Sequence, residues 1–187
     1  MTLTDVPGID DSVGHMTRVL VAGIGNIFLG DDGFGVAVAE RLAGVALASS
    51  VKASSVKVAD FGIRGVHLAY ELLDGYDALV LIDAMPLGEA PGTLAIFEPT
   101  VEATGGATDG DDPPPALDAH SMNPGVVLGM LTKLGGRVER ILVVGCEPES
   151  VEEGIGLSEP VTAAIELAVT AVTDLVAELC CVQREGE

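Results

Sequence analysis

A glycine-rich loop that carries two adjacent acids constrains this chain most. The apolar run and loop VLVAGIGN at residues 19–26 lead into GDDGFG at residues 30–35. A strand that ends in glycines and is followed by a helix is typical of nucleotide-binding α/β proteins, in which the helix start receives a phosphate. Here Phe28 stands where that fingerprint requires its third glycine, and Asp31 and Asp32 would repel an anion. The loop therefore predicts an α/β fold whose first site attracts a cation.

The rest of the sequence alternates apolar runs with amphipathic ones, as α/β proteins do. We predict strands at residues 18–23, 56–61, 78–83, 92–98 and 140–145, and helices at residues 33–47, 64–73, 124–134 and 159–180. The fourth strand follows the third with no room for a helix between them, so it should pair antiparallel at or near an edge of the sheet. The predicted fold class is α/β: a three-layer sandwich with a mostly parallel, twisted five-stranded sheet, one antiparallel strand and helices on both faces.

The chain length of 187 residues suits one domain with a sizeable core. We expect residues 1–16 to form a disordered lead-in, residues 17–182 to form the single domain and residues 183–187 to form a C-terminal tail. The segment 161–180 is long and apolar, but acidic residues interrupt it. It therefore predicts an amphipathic helix packed on the sheet, and no membrane insertion.

Charge and cysteine usage narrow the choice of partners and compartment. The formal net charge of −20 disfavours nucleic acid and anionic membrane surfaces. A basic protein partner or a metal fits this charge, and so does a simple role in solubility. The cysteines form neither a zinc pattern nor an even secretory framework, because Cys180 and Cys181 are adjacent and Cys146 stands alone. We expect a reducing compartment, the cytoplasm.

Three reactive residues fall beyond the carboxyl ends of predicted strands, where ligand sites form in parallel α/β sheets. Asp32 follows the first strand across the glycine loop, Asp83 directly follows the apolar run LVLI, and His120 shortly precedes the third predicted helix. Two carboxylates and an imidazole suit a divalent transition metal with open positions for water or substrate. We therefore predict that Asp32, Asp83 and His120 form a metal site.

Each of these residues also has a structural interpretation. An aspartate before a helix is most often its N-cap, but only one residue occupies the cap, so we assign Asp31 a structural or solvent-facing role and Asp32 the site. Asp83 would alternatively cap the short segment that follows it, although a proline and a glycine there indicate a turn. A lone histidine beside a helix start is commonly structural, so the case for His120 depends on the two carboxylates.

Three more residues have two interpretations each. Asp60 leaves the second predicted strand at the same edge, where it either supports a turn or contacts an incoming polypeptide. Asn26 either donates to a substrate carbonyl or holds the glycine loop, and the turn role is favoured. Cys146, after the run VVG, is either a nucleophile that pairs with His120 or a small buried residue at a strand end.

With these residues assigned, the sequence resembles the hydrogenase maturation proteases, endopeptidases that trim the C-terminal extension from the large subunit of nickel-iron hydrogenases. The matching pieces are GIGN together with GDDGFG, then ALVLIDA at 78–84, DAHS at 118–121 and VVGCEP at 143–148. The resemblance covers the chain from about residue 18 to residue 180. The doubled acid after G-x-G-N-x-x-x-G is the most specific of them.

The resemblance implies an α/β sandwich with Asp32, Asp83 and His120 as the metal-binding set. It also implies that the metal is nickel, supplied by the hydrogenase large-subunit precursor, with no organic cofactor. Asp32 and Asp83 are then the catalytic residues of a metal-assisted peptide hydrolysis in which either carboxylate accepts a proton. Asn26 and Asp60 are the predicted substrate-binding residues.

Other classes of function stay open at this point. A non-catalytic metal-centre assembly chaperone would use the same ligands without cutting anything. A Cys-His hydrolase would use Cys146 as its nucleophile. A nucleotide-binding protein is disfavoured by Phe28 and by the doubled acid of the first loop.

Overall fold

The computed structural model describes residues 17–44, 55–99 and 124–181. Its strands are β1 (Val19–Ile24), β2 (Val56–Gly62), β3 (Ala78–Ala84), β4 (Leu94–Phe97) and β5 (Arg140–Cys146). Its helices are α1 (Phe34–Ala43), α2 (Gly65–Leu72), α3 (Pro124–Lys133) and α4 (Glu159–Cys181), and a 3-10 helix (Gly30–Gly33) precedes α1. The predicted lead-in 1–16 and tail 183–187 lie outside the described residues.

The described strands form one sheet in the order β2-β1-β3-β5-β4. The strands β2, β1, β3 and β5 are parallel to one another, whereas β4 pairs antiparallel with β5 and occupies an edge. This confirms the predicted fold class, including the single antiparallel strand. Because parallel strands run in the same direction, β1, β2, β3 and β5 all end at one side of the sheet, which we call the carboxyl edge.

Helices cover both faces of the sheet, which explains why the central strand β1 is apolar throughout. Every residue of β1 is buried. Val19 and Val21 belong to one core with α1 and α4, and Leu20 and Ala22 belong to the other core with α2 and α3. Strands buried on both faces read as continuous apolar runs, because alternating side chains enter two different cores.

Most predicted bounds differ from the observed ones by a residue at one or both ends, and the differences in α1, β4 and β3 each have a local cause. The first helix was predicted over 33–47, but α1 ends at Ala43, where the N–H of Gly44 closes the last turn on the carbonyl of Arg41; residues 45–47 lie outside the described part. The edge strand β4 is shorter than the predicted 92–98, because a turn precedes it. Strand β3 continues past Asp83, because β5 pairs with it as far as Cys146.

The long helix α4 packs against the sheet and α1. Its buried residues Val161, Ala168 and Val172 lie in the core, and Arg41 of α1 donates to Glu166 at 2.7 Å. Within residues 17–44, 55–99 and 124–181, no helix combines the length and hydrophobicity that crossing a bilayer requires.

Candidate active site

Glycines bring the first loop directly against the ends of the central strands. A Cβ atom on Gly35 would lie 2.2 Å from the carbonyl oxygen of Ile82 and 2.3 Å from that of Ile24, distances that real side chains do not reach. Gly25 has φ +127°, and a Cβ atom there would lie 1.8 Å from the carbonyl oxygen of Asp32. Only glycine at these two positions lets the start of α1 approach β1 and β3 so closely. The motif therefore places Asp32 near the end of β3.

Asp32 is held by the turn that precedes it. The backbone N–H of Asn26 donates to Oδ2 of Asp32 at 2.6 Å, and Oδ1 of Asn26 accepts the N–H of Phe28 at 3.0 Å. The N–H of Leu29 closes the same turn on the carbonyl of Asn26. Asn26 thus has the turn role that the sequence favoured, and its substrate-binding role stays a prediction.

Asp83 lies in β3 opposite Gly145 of β5 and is only partly exposed. Burial raises the pKa of Asp83 from its ordinary value of 3.8 to about 8, and the negative charge of Asp32 contributes to the rise. The two predicted catalytic carboxylates therefore lie close enough to repel each other. Burial and the neighbouring negative charge both favour the protonated form of Asp83.

Asp31 has a different environment from Asp32, although the two residues are adjacent. Its side chain is 1% exposed and accepts the N–H groups of Glu149, Ser150 and Ser158 and the hydroxyl of Ser158, at 2.6–3.1 Å. Burial alone would raise the pKa of Asp31, but these donors lower it below the ordinary value of 3.8. Asp31 therefore has a structural role, as predicted, although it does not cap the helix that follows it. It fixes the loop that leads into α4.

Cys146 is fully buried in the core between β3 and β4. Its Sγ donates to the carbonyl of Glu147 at 3.7 Å. Burial raises the pKa of the thiol to about 11, and the charges of Asp31 and Glu147 act in the same direction. A buried, protonated thiol is a poor nucleophile, so this environment disfavours the Cys-His hydrolase.

Glu147 organises a second loop at the carboxyl edge, a role that the sequence did not indicate. Its Oε2 accepts the N–H of Leu87 and the N–H of Glu89, which lowers the pKa of this carboxyl. The loop after Asp83 is thereby fixed. The sequence around Glu147 does not indicate this role, because the residues that donate to its carboxylate are about sixty residues away in sequence.

Asp60 lies at the end of β2 and is exposed. Its Oδ2 lies 3.9 Å from Nη2 of Arg64, and Arg64 also donates to the carbonyl of Asp60 at 2.8 Å. The N–H of Gly25 donates to the carbonyl of Gly62 at 3.1 Å, which joins this loop to the glycine loop. Asp60 is therefore at the same edge as Asp32, as predicted, and remains available to a polypeptide.

His120, the third predicted metal ligand, lies outside the described residues. Among the residues that are described, no group of three His, Cys, Asp or Glu side chains is arranged to hold a metal ion. His67 lies on the exposed face of α2. The structure thus brings together Asp32 and Asp83, and it leaves the third ligand as a prediction.

The fold and the carboxylate pair define the class: an α/β sandwich with two neighbouring carboxyl groups at the carboxyl edge of its sheet. A family model described as hydrogenase maturation protease matches residues 36–175. The chain therefore belongs to the hydrogenase maturation protease family, and the expected enzyme class, a peptide hydrolase, is confirmed.

Named relatives agree with this assignment. The chain is 32% identical to the hydrogenase expression/formation protein HupD of Rhodobacter capsulatus, over 84% of this chain and 71% of that protein. It is 32% identical to the hydrogenase 2 maturation protease of Escherichia coli, over 83% of this chain and 88% of that protein. Among solved structures, the hydrogenase maturating endopeptidase HybD of E. coli superposes with a TM-score of 0.69 at 30% identity, covering 87% of this chain and 93% of HybD.

Proposed function

We propose that this protein is the endopeptidase that removes the C-terminal extension of a nickel-loaded hydrogenase large-subunit precursor. The family supplies the class of activity. The observation that carries the proposal for this chain is that the glycine loop brings Asp32 beside Asp83 at the carboxyl edge of the sheet. Two neighbouring carboxyl groups supply the proton acceptor and donor that peptide hydrolysis needs.

The two carboxyl groups supply the proton transfers of the reaction. One of the carboxylates, Asp32 or Asp83, accepts a proton from the attacking water, whose oxygen bonds to the scissile carbonyl carbon. The same group then gives this proton to the leaving nitrogen as the C–N bond breaks, so the pair returns to its starting state. The N–H of Asn26 holds Oδ2 of Asp32 in place at 2.6 Å.

The nickel in this proposal belongs to the substrate. Two partly buried carboxylates that repel each other gain by facing a divalent cation, so the chemistry of Asp32 and Asp83 fits a metal centre presented by the precursor. When present, such a centre supplies polarisation of the scissile carbonyl. We propose His120 as the third ligand, and no organic cofactor.

The location of the reaction is part of the proposal. Cys146, Cys180 and Cys181 are all free thiols. Cysteines that form no disulfide are typical of reducing compartments, so we propose that the protein acts in the cytoplasm. The substrate there is the precursor polypeptide.

The test is a comparison of matched precursors with and without nickel, followed by the mass of the C-terminus. We expect the wild-type protein to shorten only the nickel-loaded form and to leave casein intact. Asp32→Asn and Asp83→Asn should abolish cleavage, whereas Glu166→Gln on the exposed face of α4 serves as the matched control and should cleave normally. Equal cleavage of both precursor forms would refute nickel-dependent recognition.

The same experiment separates the protease from the assembly chaperone. A chaperone would bind the nickel-loaded precursor and leave its mass unchanged. Binding without shortening, by a protein whose fold is intact, would therefore overturn the proposed reaction.

A further inference from the structure

Large apolar side chains are exposed on two loops of the carboxyl edge. Phe28, on the loop after β1, is 61% exposed, and Ile155, on the loop between β5 and α4, is 83% exposed. Ile27 and Val151 on the same two loops are also exposed. We call these four residues the apolar rim. In a chain with 3% aromatic residues, an exposed phenylalanine beside the candidate active site is unusual.

Backbone hydrogen bonds join the two loops of the apolar rim into one rigid surface. The N–H of Gly154 donates to the carbonyl of Phe28 at 2.9 Å, and the N–H of Gly30 donates to the carbonyl of Gly154 at 3.0 Å. The N–H of Asp31 donates to the carbonyl of Ser150, also at 3.0 Å. Phe28 and Ile155 therefore flank a bonded contact between the loops, which fixes their backbones relative to each other.

The apolar rim is also coupled to the catalytic carboxylates. Asn26 binds Oδ2 of Asp32 through its backbone N–H and binds the N–H of Phe28 through its side-chain oxygen. One residue thus sets the position of Phe28 relative to Asp32. A polypeptide seated on Phe28 would be held at a fixed distance from the carboxylate.

The charge around the apolar rim indicates the chemistry of its partner. Glu149, Glu152 and Glu153 are exposed on the same loop as Ile155. Neither residues 25–35 nor residues 147–160 contain Lys or Arg. An acidic border repels anionic lipid surfaces and attracts basic side chains, so the complementary ligand is a polypeptide segment with both apolar and basic residues.

We propose that the apolar rim docks an apolar and basic segment of the large-subunit precursor and thereby holds the scissile bond at Asp32 and Asp83. This inference depends on the proposed function for the identity of the partner. Phe28 and Ile155 act as anchors, and the surrounding glutamates favour association and orientation. They are positioning residues and take no part in proton transfer.

The first test measures binding separately from cleavage. In an Asp83→Asn background, the dissociation constant for the purified nickel-loaded precursor is compared with that of the same protein carrying Phe28→Ser and Ile155→Ser. We expect at least a tenfold weaker affinity in the rim variant. Leu167→Gln, which removes a 65% exposed leucine from α4, is the matched control and should bind normally.

The second test uses the kinetics of otherwise intact enzyme. Phe28→Ser with Ile155→Ser should raise KM for the nickel-loaded precursor at least tenfold and leave kcat within about twofold, because the carboxylates are untouched. Circular dichroism melting verifies that the variant is folded. An unchanged KM and an unchanged dissociation constant would overturn the docking role.

The outcomes also separate this inference from the proposed function. If the wild-type protein binds the precursor without cutting it, the proposed reaction fails, and the loss of affinity in the rim variant still tests the docking surface. If sedimentation shows that the wild-type protein is a dimer and the rim variant a monomer, the apolar rim is a contact between copies of this chain and the inference is wrong.

Discussion

Replacing Asp83 by asparagine should stabilise the protein while it abolishes cleavage. The side chain of asparagine has nearly the same shape as that of aspartate and stays neutral at every pH. In the folded protein, burial and the charge of Asp32 hold the pKa of Asp83 at about 8, whereas in the unfolded chain it returns to about 3.8. Folding at neutral pH therefore forces this carboxyl to take up a proton, and the amide of the Asp83→Asn variant does not have to.

The size of the effect follows from proton linkage. One pKa unit corresponds to about 1.4 kcal/mol, so a carboxyl with these two pKa values costs at most about 4 kcal/mol of folding free energy at pH 7. The stability associated with Asp83 is fully present below about pH 4. It is lost as the pH rises from about 4 to 8, by about 1.4 kcal/mol per unit, because the folded state binds one more proton than the unfolded state.

The assay is urea unfolding between pH 4.5 and 8.5 with a chelator present. The chain has no tryptophan, so far-UV circular dichroism is the suitable signal. Subtracting the wild-type free energy of unfolding from that of Asp83→Asn cancels the titrating groups that do not interact with Asp83. We expect the difference to favour the variant at pH 7 and to shrink towards zero near pH 4.

Asp31→Asn is the matched control. It makes the same aspartate-to-asparagine change beside Asp32, but we expect it to lower the free energy of unfolding, whereas Asp83→Asn should raise it. Asp31 is stabilised as a carboxylate by donors from the loop before α4, so the amide should cost about 2–3 kcal/mol at neutral pH. The penalty should stay constant from pH 8.5 to 4.5 and diminish only below about pH 4, because the pKa of Asp31 is lowered from its ordinary value of 3.8. A difference for Asp83→Asn that is independent of pH, or a loss of stability at pH 7, would refute the account of the carboxylate pair.

Three further predictions test the surroundings of the site. Cys146→Ala should keep the rate of precursor cleavage, measured by C-terminal mass, and lower stability by about 1–2 kcal/mol, because the thiol only fills the core. Gly35→Ala should lower the free energy of unfolding in urea by about 3 kcal/mol or more and impair cleavage, because its Cβ would collide with the carbonyl oxygen of Ile82. A variant as stable as wild type would contradict this close approach. Asp31→Asn should raise KM more than it lowers kcat, because Asp31 supports the loop that carries Ile155; an effect on kcat alone would indicate a catalytic role.

The sequence was sufficient to predict the architecture because the signals for it are local. Strand β1 is buried on both faces, so its apolar run is uninterrupted, and the glycines at 23, 25 and 35 mark close backbone approaches that no other residue permits. The antiparallel edge strand followed from the short distance between β3 and β4 along the chain. Element ends were less accurate, since Asp83 lies within β3 only because β5 continues beside it.

The sequence located Asp32 and Asp83 at the same edge of the sheet, but the environment of each acid depends on residues that are distant in sequence. The helix start indicates that one of the two adjacent acids is structural. The hydrogen-bond partners of Asp31, however, are 118–127 residues away in sequence, so the sequence could not identify them. The burial that raises the pKa of Asp83 depends on packing across the sheet. The apolar rim consists of exposed side chains on two loops that are distant in sequence. No local sequence pattern predicts which side chains of these loops are exposed.

The 3-10 helix Gly30–Gly33 explains why the motif needs two acids in succession. Such a helix has about three residues per turn, so consecutive side chains point about 120° apart. Asp31 can then enter the loop before α4 while Asp32 faces the turn at Asn26 and lies close to Asp83. A single aspartate could not do both. The first acid fixes the loop that carries Ile155 and the second places a negative charge beside Asp83, so the proposed docking and the proposed proton transfer both depend on this one motif.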